Sequence, residues 1–296
     1  TAGAIRLADN ITPLADGLLR SQLAAGTVDV NLINDLTHAY EFSTVASYVS
    51  FSSIFPVGKV IHLLDRAATF IVITGTGTAT GNKIIASSLF SQSIELEVND
   101  TANALQFGAA VDGITDSSLV YAEMFSSGAR TIVFPKATYR GKISQSSLAG
   151  VDIIFEEGAT LQSFTTDQVV AISSSSSVTL SGGEFTTPQR VSRPIAITSC
   201  TKTTVTNAKV SFATKSAYSG SAIYSTAGIY LENCSRCIVQ NNELFNIEGF
   251  GVACVGTGEG NEIKQNYIHD NLGGRLNNED SNNHNKVVEN DIGYNN

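Results

Sequence analysis

The chain has 296 residues, 42% of them apolar, enough for a buried core and, at roughly 100–200 residues per domain, for about two domains. Only 15% are Asp, Glu, Lys or Arg, against roughly 25% in typical soluble domains, so Ser, Thr, Asn and Gln must cover much of the surface. The net charge of −9 argues against a nucleic-acid partner, which needs clustered Lys and Arg, and no apolar run approaches the ~18 residues of a membrane span.

Along the chain, residues 1–36 place Ile11, Leu14 and Leu18 at spacings of three and four, with Pro13 in an early-helix position. This predicts a short helical stem or linker ending near Gly26. Arg6, Asp9 and Asp16 interrupt the apolar stretches, so the segment does not read as a secretory signal. Residues 37–102 predict a small β-rich connecting domain. A helix over 44–52 is capped by Ser43 or Thr44, and β-branched and aromatic runs at 59–64 and 70–74 read as strands. Gly75, Gly77 and Gly81 look superficially like a phosphate-binding loop. The third glycine comes one place too late, and residues 83–86 read as strand rather than helix, so a glycine-rich hairpin is expected.

From residue 103 a second domain runs to 296. Residues 105–107 predict a short strand, followed by turns at Gly108 and Asp112-Gly113. Thr115 is the expected N-cap of a helix with Asp116 in its first turn, and the nearly apolar residues 119–125 demand cover. Gly128 ends the helix, and residues 131–134 and 138–140 are strands on either side of Pro135.

This stretch resembles the opening signature of pectate-lyase-like right-handed β-helices. Phe107, Gly108, Ala109, Asp112, Gly113, Thr115, Asp116, Pro135 and Tyr139 match it, while Ser117 and Ala137 depart from it. The resemblance implies that the segment caps a right-handed parallel β-helix and that Asp112 and Asp116 are structural. The preceding domain resembles that of bacteriophage tailspikes through Val45-Ala46, Val49, Val57, Gly58 and Val60-Ile61. A tailspike resemblance implies a homotrimer in the phage tail, joined to other virion tail proteins and acting outside the host cell. It implies binding and, without any cofactor, cleavage of a bacterial surface polysaccharide such as capsule or O-antigen. A non-catalytic virion component for structure or adhesion is the competing expectation.

Independently of resemblance, the C-terminal third repeats. Asn242, Asn266 and Asn290 are 24 residues apart, each with an apolar residue three before and two after. Residues 205–210 fit the same template with Ala208 in the Asn place, and residues 180–185 with Gly183. A fixed period of this size without intervening helices marks a solenoid. Coils rising about 4.8 Å per turn stack equivalent residues, and stacked Asn side chains bond along the ladder. Asp there would set like charges against each other. Cys200 and Cys234 both precede their template position by eight residues, so they are expected to be stacked neighbours and free thiols. The Cys234–Cys237 spacing could suit zinc, but no second Cys pair follows beyond Cys254 and His269, so no metal is expected. Asn296 follows Asn290 by six residues with no polar cap, so the natural chain is expected to continue.

A shift of 24 lays the apolar residues 251–255 over the polar residues 275–279, predicting a rung that opens toward solvent. His269, Asp270, Arg275, Glu279, Asp280 and His284 share this window. Glycan hydrolysis needs two carboxylates, and elimination needs a base with a cation beside the acidic enolate. Asp270, Glu279 and Asp280 with Arg275 are the candidate catalytic set, and His269, His284 and Glu248 the candidate substrate contacts. A solvated loop is the alternative. Alginate-type epimerase chemistry is not expected, because residues 250–255 lack that family's catalytic Asp-Pro-His-Glu-Gln run.

Overall fold

The computed structural model describes residues 39–292 apart from 52–53, 76–80, 89–90, 164–167, 188–192, 213–225, 248, 272–275, 281–285 and 289. The predicted helix of residues 1–36 and the tip of the glycine-rich hairpin lie outside the described residues. The chain divides into two units, Thr1–Glu97 and Val98–Asn296.

In the first unit, strands Tyr40–Phe42, Val60–Leu63, Ala68–Thr74, Gln92–Leu96 and Ile84–Ala86 form one sheet in that spatial order. The first pair is parallel and the others antiparallel. Alternation along Ala68–Thr74 turns Ala68, Phe70 and Val72 into the core, where Ile61, Leu63 and Ile94 meet them. The helix is Val45–Val49, shorter than the predicted 44–52. Thr44 and Ser47 start it as a capping box, each side chain accepting from the other's backbone N–H at 3.1 Å.

The second unit is a parallel β-solenoid. Each coil visits three sheets in turn, which among the described residues hold eight, seven and six strands. Most strands of the first two sheets are three or four residues long, so one or two apolar side chains per strand point inward. Leu180, Val205, Val239 and Ile263 stack in the first sheet, and Leu161, Phe185, Val210, Leu244 and Ile268 in the second, with Ile292 next in register. Ile172, Ile197, Leu231 and Cys254 stack in the third. The 24-residue repeat is therefore one turn of the coil.

The corner between the first and second sheets carries the predicted ladder. Asn266 Nδ2 donates to Asn290 Oδ1 at 2.9 Å and to the Val239 carbonyl at 3.0 Å. Its Oδ1 accepts from the Asn242 backbone N–H at 3.1 Å and from Asn242 Nδ2 at 2.9 Å. Asn242 repeats the pattern one rung earlier, accepting from the Ala208 N–H and donating to the Val205 carbonyl. The residues just before the ladder, Asn207, Asn241 and Gln265, take left-handed backbone with φ of 53–57°. Asn261 and Asn271 tie successive coils in the same way at the other two corners. All four cysteines are free and buried. Cys200 and Cys234 sit on adjacent coils, just before the bridged pair Thr201 and Ser235.

Three local expectations fail in the capping segment. Residues 105–107 form a turn, held by the Leu105 N–H on Asn103 Oδ1, and the strand is Thr101–Asn103, paired with Thr131, Ile132 and Val133. The helix is Ser118–Ser126, starting after Ser117 rather than Thr115. The Thr115 hydroxyl instead donates to Asp112 Oδ2 at 2.7 Å, while Asp112 Oδ1 accepts from the Ile114 and Thr115 N–H groups at 2.8 Å. Asp116 Oδ1 accepts from the Ser118 N–H. The helix is also covered on one face only: Val120, Tyr121 and Met124 are buried, but Leu119 is 80% exposed.

Candidate functional site

In the second sheet, strands Glu243–Phe245 and Tyr267–His269 bury their central residues, Leu244 and Ile268. The residues on either side must therefore face outward. Parallel register sets Lys209 beside Glu243 beside Tyr267, and Ser211 beside Phe245 beside His269. The result is a mixed aromatic and charged patch on the outside of the coil.

His269 is its centre. The imidazole stacks on Tyr267 at 4.1 Å between centroids and on Phe245 at 5.4 Å, with ring planes 23° and 7° apart. Its Nδ1 lies 2.7 Å from Asp270 Oδ2, and its Nε2 lies 3.4 Å from Glu243 Oε1. Glu243 Oε2 in turn meets Lys209 Nζ at 3.0 Å, and that contact raises the Lys209 pKa above its ordinary value. Asp270 stands in left-handed backbone at φ 55°, which turns the chain out of the strand and places its carboxylate beside the ring. Nε2 is shut off from solvent, and its 3.4 Å approach to Glu243 falls short of hydrogen-bond geometry. Tyr267, 43% exposed, offers ring surface to solvent.

Of the predicted residues, the structure brings His269 and Asp270 together in this patch. Glu279 and Asp280 lie around the next corner, on strand Leu276–Asp280 of the third sheet, in register with Val255 and Gly256. The expected 24-residue shift thus holds for the backbone there. The side chains of Glu279 and Asp280, and Arg275, His284 and Glu248 altogether, lie outside the described residues. In the same sheet Glu232 pairs with Val255, so Glu232 and Glu279 occupy one column two rungs apart. Arg193 lies 3.5 Å over the Tyr230 ring and 3.7 Å from the Glu232 carboxylate.

Lys209, Glu243, Phe245 and Tyr267 were not among the sequence candidates. The signal for them was present: each flanks the central apolar residue of its repeat, a position that must face outward. Among the described residues no group of three or more His, Cys, Asp or Glu side chains could hold a metal ion.

The family model described as "right handed beta helix region" matches residues 142–296. Among solved structures, the tailspike protein gp49 from Acinetobacter baumannii bacteriophage Fri1, a capsular polysaccharide depolymerase, aligns with a TM-score of 0.60 at 12% identity. The alignment covers 86% of this chain and 53% of that one, so this chain spans about half the tailspike's length. A Parabacteroides merdae protein with a provisional assignment as a glycosyl hydrolase aligns with a TM-score of 0.52 at 13% identity, covering 66% of this chain and 98% of that one. At these identities the likeness is one of fold. A search of curated proteins returns no match.

Proposed function

The chain belongs to the right-handed β-helix family, and from that premise we propose that it binds a bacterial surface polysaccharide, capsule or O-antigen, on the outside of its coil and cleaves it, as a tailspike-like component of a phage virion. The observation that carries the binding step is the outward stack of Phe245, His269 and Tyr267 bordered by Glu243 and Asp270. Aromatic faces take the C–H faces of sugars, and carboxylates accept hydrogen bonds from hydroxyls. The depolymerase activity of the Acinetobacter phage tailspike supports the substrate class by analogy of fold. In this reading the chain acts as a homotrimer at the host surface alongside other tail proteins. Asp270, Glu279 and Asp280 supply the carboxylates for cleavage, with Arg275 as the cation.

A second reading, adhesion without cleavage, rests on one feature of the patch. Glu243 lies against Lys209 and Asp270 against His269. Both carboxylates thus already face a partner, and hydrolysis requires one that can reach the leaving-group oxygen. Incubation with capsule and O-antigen preparations separates the readings. Cleavage gives new reducing ends, or absorbance near 232–235 nm for a lyase product (the conjugated C=C–COO⁻ group), about in proportion to bonds broken. Binding with neither signal establishes the adhesive reading, and loss of cleavage in Asp270→Asn and Glu279→Gln variants that keep the fold assigns those residues.

A further inference from the structure

We infer that the Tyr267 patch selects uncharged sugars and rejects uronic acids and other anionic residues; this rests on the polysaccharide-binding reading and names the substrate class within it. Of the charged groups that border the stack, two are carboxylates. Glu243 faces it from the neighbouring strand and Asp270 from the turn that follows His269. Lys209, the lysine that could attract an anionic sugar, lies with its Nζ 3.0 Å from Glu243 and is outnumbered by the two carboxylates. A carboxylate keeps acceptor capacity after one such contact, since its two oxygens offer about four lone-pair sites. The patch therefore presents to a ligand an aromatic surface and hydrogen-bond acceptors. A neutral pyranose supplies what complements them, an apolar C–H face and hydroxyl donors. A uronate brings a further negative charge against Glu243 and Asp270, and like-charge juxtaposition is what excludes a wrong partner.

The test compares polysaccharides that differ only in charge. Alginate and polygalacturonate, each as such and after chemical reduction of the carboxylates to alcohols, are titrated calorimetrically alongside dextran and mannan at about 0.15 M salt, where surface charge is screened beyond roughly 8 Å. Neutral or reduced chains should bind about tenfold or more tightly than the acidic forms. Tyr267→Ala should weaken that binding about three- to tenfold, the size of an aromatic contact. Glu243→Gln combined with Asp270→Asn should narrow the gap between acidic and reduced chains. Equal or tighter binding of the acidic forms, lost with Tyr267→Ala, overturns the selectivity and leaves the polysaccharide reading standing. Binding that ignores Tyr267→Ala overturns the site. Failure of every chain to bind overturns the selectivity for neutral sugars, while the polysaccharide reading is decided separately by the capsule and O-antigen assay.

Discussion

Asn266→Ala is the sharpest perturbation of the coil. Asn266 is fully buried and takes part in four side-chain hydrogen bonds, two donated by Nδ2 and two accepted by Oδ1. At a net ~1 kcal/mol each, their loss costs about 4 kcal/mol. The partners left behind, the Asn242 N–H and amide, the Val239 carbonyl and Asn290 Oδ1, are buried or nearly so and gain no substitute from an alanine methyl. Against a typical total stability of about 5–15 kcal/mol this is a large fraction. The natural Ala208 shows why position matters. It begins the ladder, where its own N–H is still satisfied by Asn242 Oδ1 at 2.9 Å. Asn266→Asp keeps the shape but replaces the amide donor with an acceptor facing the Val239 carbonyl, and should destabilise at least as much. Urea unfolding followed by far-UV circular dichroism reads the midpoint shift at unchanged slope. A loss below about 1 kcal/mol for both variants would refute the argument that the ladder holds the coils together.

Further outcomes follow from other buried or tied groups. Thiol titration should find four reactive sulfhydryls in denaturant and essentially none in the native protein near pH 8, because all four cysteines are buried and the Cys200 thiol is pushed up by its bond to Cys234 and by burial. Rapid native labelling would contradict the stacked core. The Thr115 hydroxyl, then the Thr115 and Ile114 N–H groups, hold Asp112 at a pKa of about 2, below its ordinary 3.8. A depressed carboxylate stabilises above its unfolded value, so this contribution is complete above about pH 4 and lost as pH falls through 2. Asp112→Asn should flatten acid unfolding in that window, and an unchanged profile would remove Asp112 from the cap. Gly258→Ala would place a Cβ 1.7 Å from the Cys234 carbonyl oxygen, so the variant should lose at least the ~1–3 kcal/mol of an overpacked core, read as a lower melting temperature.

The period of the coil was legible because stacking forces chemistry to repeat. Asn242, Asn266 and Asn290 must be alike to bond one another, and that likeness is written at a spacing of 24. The same shift placed strand Leu276–Asp280 beside Phe250–Gly256 correctly. The capping segment was less legible, because its hydrogen bonds cross the chain locally in ways that propensity does not weigh. Thr115 has the chemistry of an N-cap, yet its hydroxyl is claimed by Asp112, and the helix starts three residues later. Leu119 reads as core from its neighbours, but helical geometry buries only the face of Val120, Tyr121 and Met124. At the site, His269 and Asp270 stood out as titratable residues adjacent in sequence. Glu243 and Phe245 are about one coil away in the chain, and only the stacking of Leu244 on Ile268 brings them alongside.

A cross-link tests that stacking most directly. Gln240 and Lys264 are register partners in the first sheet, so a Gln240→Cys/Lys264→Cys pair has Cα atoms about one strand spacing, ~4.8 Å, apart, inside the disulfide range. Mild oxidation of dilute protein should close an intramolecular bridge in this variant. Gln240→Cys/Val288→Cys, two rungs apart, should stay open. A bridge in the second variant and none in the first would contradict a coil with a 24-residue turn.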